Sequence, residues 1–180
     1  MYRRMDLRCA GHWARLPLDP QHARNGDTVT TPPKTVLAVA SGGGHWEQLM
    51  LLRETLETHR TTFATTDIAV AQLHSVGDAR ALPDCNKDRP FRSIWCAVKA
   101  FWLLIRLRPD VVISTGAAPG LFCVLFGRLV GAKTLWIDSV ANAEKLSLSG
   151  RMPSRIAHEC LTQWEHLAHS PSPKYRGAVL

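Results

Sequence analysis

Residues 36–48 read VLAVASGGGHWEQ, and the fold is decided there. An apolar run stops abruptly at Ser41, Gly42, Gly43 and Gly44, and a helical pattern opens at His45 and Trp46. A buried strand that turns through glycines into a helix is a common way to hold a phosphate. Backbone N–H groups point at the anion, and the helix dipole favours negative charge. The stretch is not a Walker A loop, because His45 stands where that loop needs Lys and then Ser or Thr. Nor is it the dinucleotide fingerprint GxGxxG, because Gly44 is followed by His45, Trp46 and Glu47. A nucleotide triphosphatase and an NAD enzyme are therefore disfavoured. The same glycines also suit a plain tight turn, and His45 also suits a cap or a packing residue.

Outward from this junction the chain alternates. Residues 35–40 predict a buried strand, 46–57 a helix carrying Leu49, Leu52 and Leu56 on one face, and 61–66 a strand. Residues 67–71 are weakly β-prone, and 76–92 read as a polar loop. Residues 93–107 predict a helix stopped by Pro109, 110–115 a strand, and 119–130 an apolar helix with Pro119 in its first turn. Residues 133–138 predict a further strand, 141–148 a short helix, and 156–163 a last strand. Short apolar strands alternating with helices predict an α/β fold, a Rossmann-like parallel sheet flanked by helices. In such sheets ligands sit beyond the carboxyl ends of the strands. Three loops of small or polar residues fall there: Ser41–Gly42–Gly43–Gly44, then Ser114–Thr115–Gly116, then Asp138–Ser139. Ordinary strand-to-helix turns have the same composition.

With 180 residues the chain has room for one domain with a real core. Residues 1–33 mix Arg, Pro, Asp and Thr without period and read as a disordered basic arm, leaving 34–180 as the domain. Lys and Arg total 22 against 15 Asp and Glu, a net charge of +7, which suggests an anionic partner: a nucleotide, a nucleic acid or an anionic membrane. The five cysteines form no CxxC pair, so a disulfide framework or zinc site is not expected, and Cys123 reads as core packing. No secretory signal and no uncharged apolar stretch of about 18 residues is evident.

Four stretches in this order resemble one family. SGGGHWEQLMLL is similar to its first loop, RPDVVISTGAAPG to its central strand and loop, KTLWIDSVANAEKLSLSGRM to its Glu-Ser…Leu-Ser-Leu-Ser-Gly block, and ECLTQWEHL…YRGAVL to its Gln-Trp and Tyr-x-Gly ending. The family is the membrane-associated subunit of two-part glycosyltransferases. It includes the PssD-type exopolysaccharide proteins and the anchoring subunit of the endoplasmic-reticulum UDP-GlcNAc transferase. More distantly, the chain resembles the N-terminal half of MurG. The resemblance implies a single N-terminal-type lobe of a GT-B enzyme. It implies a separate PssE-like donor-binding subunit as partner, a UDP-sugar as donor and a polyprenyl-diphosphate saccharide as acceptor. Asp138 departs from the Glu common in the family, and Asn142 from a common basic residue.

Inverting transfer needs a base for the acceptor hydroxyl. His45 and Asp138 are the catalytic candidates, and Ser41, Gly42, Gly43, Gly44, Gln48, Ser114, Thr115, Gly116 and Ser139 the candidates for substrate or phosphate binding. No metal and no cofactor is expected: the DxD motif is absent, which fits the metal-independent chemistry that the resemblance implies.

A membrane contact is expected on the helix at 93–107, where Ile94, Val98, Phe101, Trp102 and Ile105 form one apolar face. Arg92, Lys99 and Arg106 recur every seven residues on another side, Trp95 and Trp102 suit an interface, and Arg89 and Arg108 flank the helix. The same pattern also describes a helix packed on the sheet with a solvated basic edge. The expected location is the cytoplasmic face of the inner membrane, peripheral or monotopic. Two other functions compete: a non-catalytic scaffold that recruits the donor subunit, and a nucleic-acid-binding module. The second is disfavoured because basic and aromatic residues do not interleave on a strand.

Overall fold

The computed structural model describes residues 32–85, 90–147 and 151–178. The arm expected at 1–33, apart from Pro32 and Pro33, and the flanking Arg89 lie outside them. Seven strands form one sheet: β1 Thr35–Ala40, β2 Arg60–Thr65, β3 Ala79–Ala81, β4 Val111–Ser114, β5 Lys133–Ile137, β6 Glu159–Thr162 and β7 Lys174–Tyr175. Their order is β3-β2-β1-β4-β5-β6-β7, and every neighbouring pair is parallel. The helices are α1 Gly44–Met50, α2 Arg53–Glu57, α3 Ile68–Leu73, α4 Pro90–Leu107, α5 Ala117–Leu129 and α6 Pro153–Ile156.

Strand β1 is apolar from Val36 to Ala40 because both its faces are covered. Val36, Ala38 and Ala40 pack under α1–α3 against Trp46, Leu49, Leu52, Leu56 and Ala71. Leu37 and Val39 face the other way, into a core built from Ala100 and Leu104 of α4, Cys123 and Val124 of α5, and Trp136 of β5. The chain runs outward from β1 to β3, then returns past β1 to β4 and proceeds in the opposite direction. The helices after β1 and after β4 therefore lie on opposite faces. The crevice beyond the carboxyl ends of β1 and β4 is the topological switch point of the sheet.

Several elements differ from expectation. The helix expected at 46–57 is two helices. Leu52 N bonds Leu49 O, a tightened last turn, and the chain is re-aimed there. Gln48 on α1 is anchored to Ser139 beside β5, whereas Leu56 on α2 packs with the β1–β2 core. Residues 67–71, β-prone by virtue of Ile68 and Val70, begin α3. Asp67 caps that helix, its carboxylate accepting from Ala69 N at 3.0 Å. The polar loop expected at 76–92 contains the three-residue edge strand β3, paired with β2, and α4 opens at Pro90. No helix forms over residues 141–147. The Asp138 carboxylate draws that segment inward as a loop, accepting from Asn142 Nδ2 and from Ser147 N and Oγ. The strand expected at 156–163 is confined to β6, with α6 running into its start, and it is not the last, since β7 follows.

Candidate functional site

The three loops of small and polar residues do lie at the carboxyl edge of the sheet, following β1, β4 and β5. At the first, Gly43 precedes α1 with φ 73°, ψ −142°, a conformation that favours glycine. The Gly43 carbonyl accepts from Trp46 N and Glu47 N, which starts the helix, while Gly42 N donates to Thr66 Oγ1 at 3.1 Å and ties the loop to the end of β2. Gly43 and Gly44 are exposed, and a Cβ on either would meet nothing within 4 Å. No neighbour among the described residues accounts for glycine at 44. Ser41 is half-buried, its hydroxyl 3.4 Å from Gly42 O.

His45, half-buried, reaches from α1 to the loop after β4. Its Nδ1 lies 3.0 Å from Thr115 O, and Thr115 Oγ1 donates to His45 O at 2.7 Å. Ser114 Oγ accepts from Gly116 N at 3.2 Å, holding the turn into α5. That turn is unusual: Gly116 has φ 141°, and Ala117 has φ 66°, a left-handed conformation that costs a non-glycine residue on the order of 1–2 kcal/mol. The strained residue therefore sits beside the histidine, at the switch point.

The remaining candidates are joined below this surface. Asp138 is buried, and its carboxylate accepts from Trp136 Nε1 and from both Asn142 and Ser147. Gln48 is buried too: its Nε2 donates to Ser139 Oγ at 3.0 Å, and its Oε1 accepts from Val140 N and Gln163 Nε2. Gln163 Nε2 also donates to Asp138 O at 2.9 Å, and Trp164 Nε1 donates to Val140 O at 2.8 Å. One buried polar network thus ties α1, the loop after β5 and the end of β6 together. Ser114, Thr115, Gly116 and Ser139 are buried, whereas Ser41, Gly42, Gly43, Gly44 and His45 reach the surface. Gln163 and Ser147 belong to this network without being candidates from the sequence. Their signal lies in the QW and LSLSG stretches, which spacing alone does not assign to a partner.

Helix α4 packs into the core through Ala100 and Leu104, with Cys96 buried as well. Of the apolar face read from the sequence, Ile94, Val98, Phe101 and Trp102 are exposed and Ile105 is half-buried; Phe91 and Trp95 are exposed beside them, Trp95 by 55% and Trp102 by 59%. Arg92, Lys99 and Arg106 are exposed as well, and the Lys99 ammonium sits 5.1 Å from the Trp95 ring centre. Exposed aromatic surface rimmed with cations is the kind of patch that serves as an interaction face. No helix of the described residues is long and apolar enough to cross a membrane.

Comparison with known proteins agrees with this architecture. The Acinetobacter baumannii MurG structure superposes with a TM-score of 0.68 at 16% identity, covering 81% of this chain and 46% of that one. A UDP-N-acetylglucosamine 2-epimerase from Rickettsia bellii superposes with a TM-score of 0.57 at 13% identity, over 74% of this chain and 40% of its own. The chain thus has the fold of one lobe and spans less than half the length of these structural relatives. The mouse UDP-N-acetylglucosamine transferase subunit ALG14 is 22% identical over 197 residues, covering 91% of this chain and 88% of its own length. The Yarrowia lipolytica subunit of that name is 24% identical, covering 82% of each. The family described as oligosaccharide biosynthesis protein Alg14 like matches residues 38–179. The chain belongs to that Alg14-like family of oligosaccharide biosynthesis proteins.

Proposed function

We propose that this chain is the acceptor-side, membrane-associating subunit of a bipartite inverting glycosyltransferase. It works with a PssE-like donor-binding subunit to move a sugar from a UDP-sugar to a polyprenyl-diphosphate-linked saccharide. The observation that carries this reading is that the described residues form one parallel sheet with one switch point, which matches 46% of the MurG it resembles. A second lobe is needed to grip the donor, and the relatives it matches are named as transferase subunits.

In this reading Gly43 and Gly44 offer backbone to a diphosphate, and His45 accepts the proton of the acceptor hydroxyl as that oxygen attacks the anomeric carbon and UDP departs. Asp138, Ser139 and Gln48 hold the edge in shape from below. The exposed α4 face lies in the headgroup region of the membrane on the cytoplasmic side, bringing the lipid-linked acceptor to the crevice.

A second reading, a scaffold that only completes the partner's cleft, is favoured by one observation. Asp138, Gln48, Ser114, Thr115 and Ser139 are all buried among internal partners.

Solubilised membranes of the native host provide the test of the split enzyme. The tagged chain is expected to bring down, in stable stoichiometry, a chain that binds UDP-sugar and lacks an acceptor lobe. Recovery of the chain by itself, with transfer activity fractionating elsewhere, overturns the proposal.

A further inference from the structure

The contact between His45 and the loop after β4 has a chemical consequence. Thr115 O is a carbonyl oxygen and carries no hydrogen, so the 3.0 Å contact with His45 Nδ1 is a hydrogen bond only when Nδ1 bears the proton. In a neutral ring the lone pair then resides on Nε2. The opposite tautomer would set the Nδ1 lone pair against a carbonyl oxygen.

Three features hold the ring in this arrangement. Thr115 is fully buried, and its N–H bonds Val39 O, so its carbonyl is fixed to the end of the sheet. Its Oγ1–H donates back to His45 O at 2.7 Å, making the pair reciprocal and locking the backbone of His45 as well as its side chain. The ring lies against the α-carbon of Gly116, where a Cβ would overlap Cε1 and Nδ1. Gly116 thus supplies space that no other residue could.

We infer that Thr115 and Gly116 are positioning residues that hold His45 as the Nδ1–H tautomer and present Nε2 as the proton acceptor. This rests on the reading of His45 as the base. A base needs its lone pair on the nitrogen turned towards substrate, and a ring free to change tautomer would spend part of its time with that nitrogen protonated. Thr115 and Gly116 touch His45 and need not touch substrate.

The test uses the full chain labelled with ¹⁵N-histidine, with spectra recorded in alkaline buffer and the signals of His45 among the eight histidines identified by their loss in His45→Ala. Long-range ¹H–¹⁵N correlation is expected to show a protonated Nδ1 and an unprotonated Nε2. The reverse pattern, or signals averaged between the two tautomers, overturns the inference. Thr115→Val, which keeps the carbonyl and removes the hydroxyl, should move the signals towards averaging, and Thr115→Ser should restore them. In the reconstituted pair Thr115→Val should lower kcat roughly tenfold with KM unchanged, the effect of one lost hydrogen bond, again rescued by Thr115→Ser. Unchanged signals and unchanged kcat in Thr115→Val contradict the role of Thr115. Gly116→Ala should displace the ring and average its signals; if that variant does not fold, the wild-type spectrum and the Thr115 pair decide. The base reading is tested separately. His45→Ala should cut turnover of the pair by about 10²–10⁴-fold, with the fold and partner binding retained. Normal turnover in His45→Ala overturns that reading even where the spectrum shows Nδ1–H, whereas a wrong tautomer with turnover lost overturns only the inference made here.

Discussion

Gly44 is the residue that the fold leaves unexplained. Gly43 is explained by its backbone, with φ 73°, and Gly116 by the ring that lies on it. Gly44 is the first residue of α1, with nothing within 4 Å of the place a methyl group would take, yet the freedom of a glycine in the unfolded chain costs about 0.4–1 kcal/mol relative to alanine. A diphosphate resting on the backbone at 44 would account for that cost. Gly44→Ala is therefore expected to raise stability by about 0.4–1 kcal/mol in denaturant titration while raising KM for a substrate whose diphosphate rests there. Higher stability with unaltered KM would show that position 44 faces only solvent. The glycines are legible in the sequence, because a turn residue declares itself by its type. That His45 meets Thr115 and Gln48 meets Gln163 is not: those pairs are 70 and 115 residues apart, and one sequence carries no distance between them. Asp138 illustrates the same limit. Its place after a strand suggests chemistry, and only the structure shows Trp136, Asn142 and Ser147 gathered around its carboxylate.

At the scale of elements, strands buried on both faces are the most legible, because TVLAVA, VVIS and KTLWI are short apolar runs bounded by turns. Residues 67–71 mislead because β-branched Ile68 and Val70 outweigh a capping aspartate, and β3 escapes because an edge strand of three residues has too little pattern to stand out. Helix α4 is legible from its period, but the period belongs to two apolar faces at once. One, Cys96, Ala100 and Leu104, is consumed by the core, and the other, with Trp95 and Trp102, is left outside. Because Arg92, Lys99 and Arg106 are exposed and clear of the core, changing all three to Glu should release the chain from anionic liposomes while leaving its circular dichroism intact. Each basic residue near such a surface contributes about 1 kcal/mol, so the loss should exceed a hundredfold in partition coefficient. Liposome binding that survives the triple change would assign the stripe to solvent. A lost circular dichroism spectrum would mean that the stripe supports the fold.

For the whole molecule, two faces of one parallel sheet carry the stability, and the acid limb of that stability has an identifiable contributor. His158 sits against β5, where Thr134 N donates to its Nδ1 at 3.2 Å, so the folded chain holds that nitrogen unprotonated. Burial, then the charges of Arg128 and Lys133, push its pKa below the ordinary value of 6.5. The unfolded chain therefore takes up the proton first, and the folded state loses stability as pH falls below about 6.5. His158→Asn keeps an acceptor and cannot charge, so its denaturation midpoint should fall less between pH 8 and pH 5.5 than that of the unaltered chain; equal falls would exclude His158 as the cause. The architecture as a whole is legible because alternating strands and helices admit few topologies, and the described residues form one such sheet. A single lobe is also what makes the functional claim falsifiable. The most direct measurement is sugar transfer by the purified chain, given UDP-sugar and a polyprenyl-diphosphate saccharide in membranes, with and without the donor-binding subunit. Turnover only when both chains are present is the predicted result, and robust turnover by this chain alone would contradict the account.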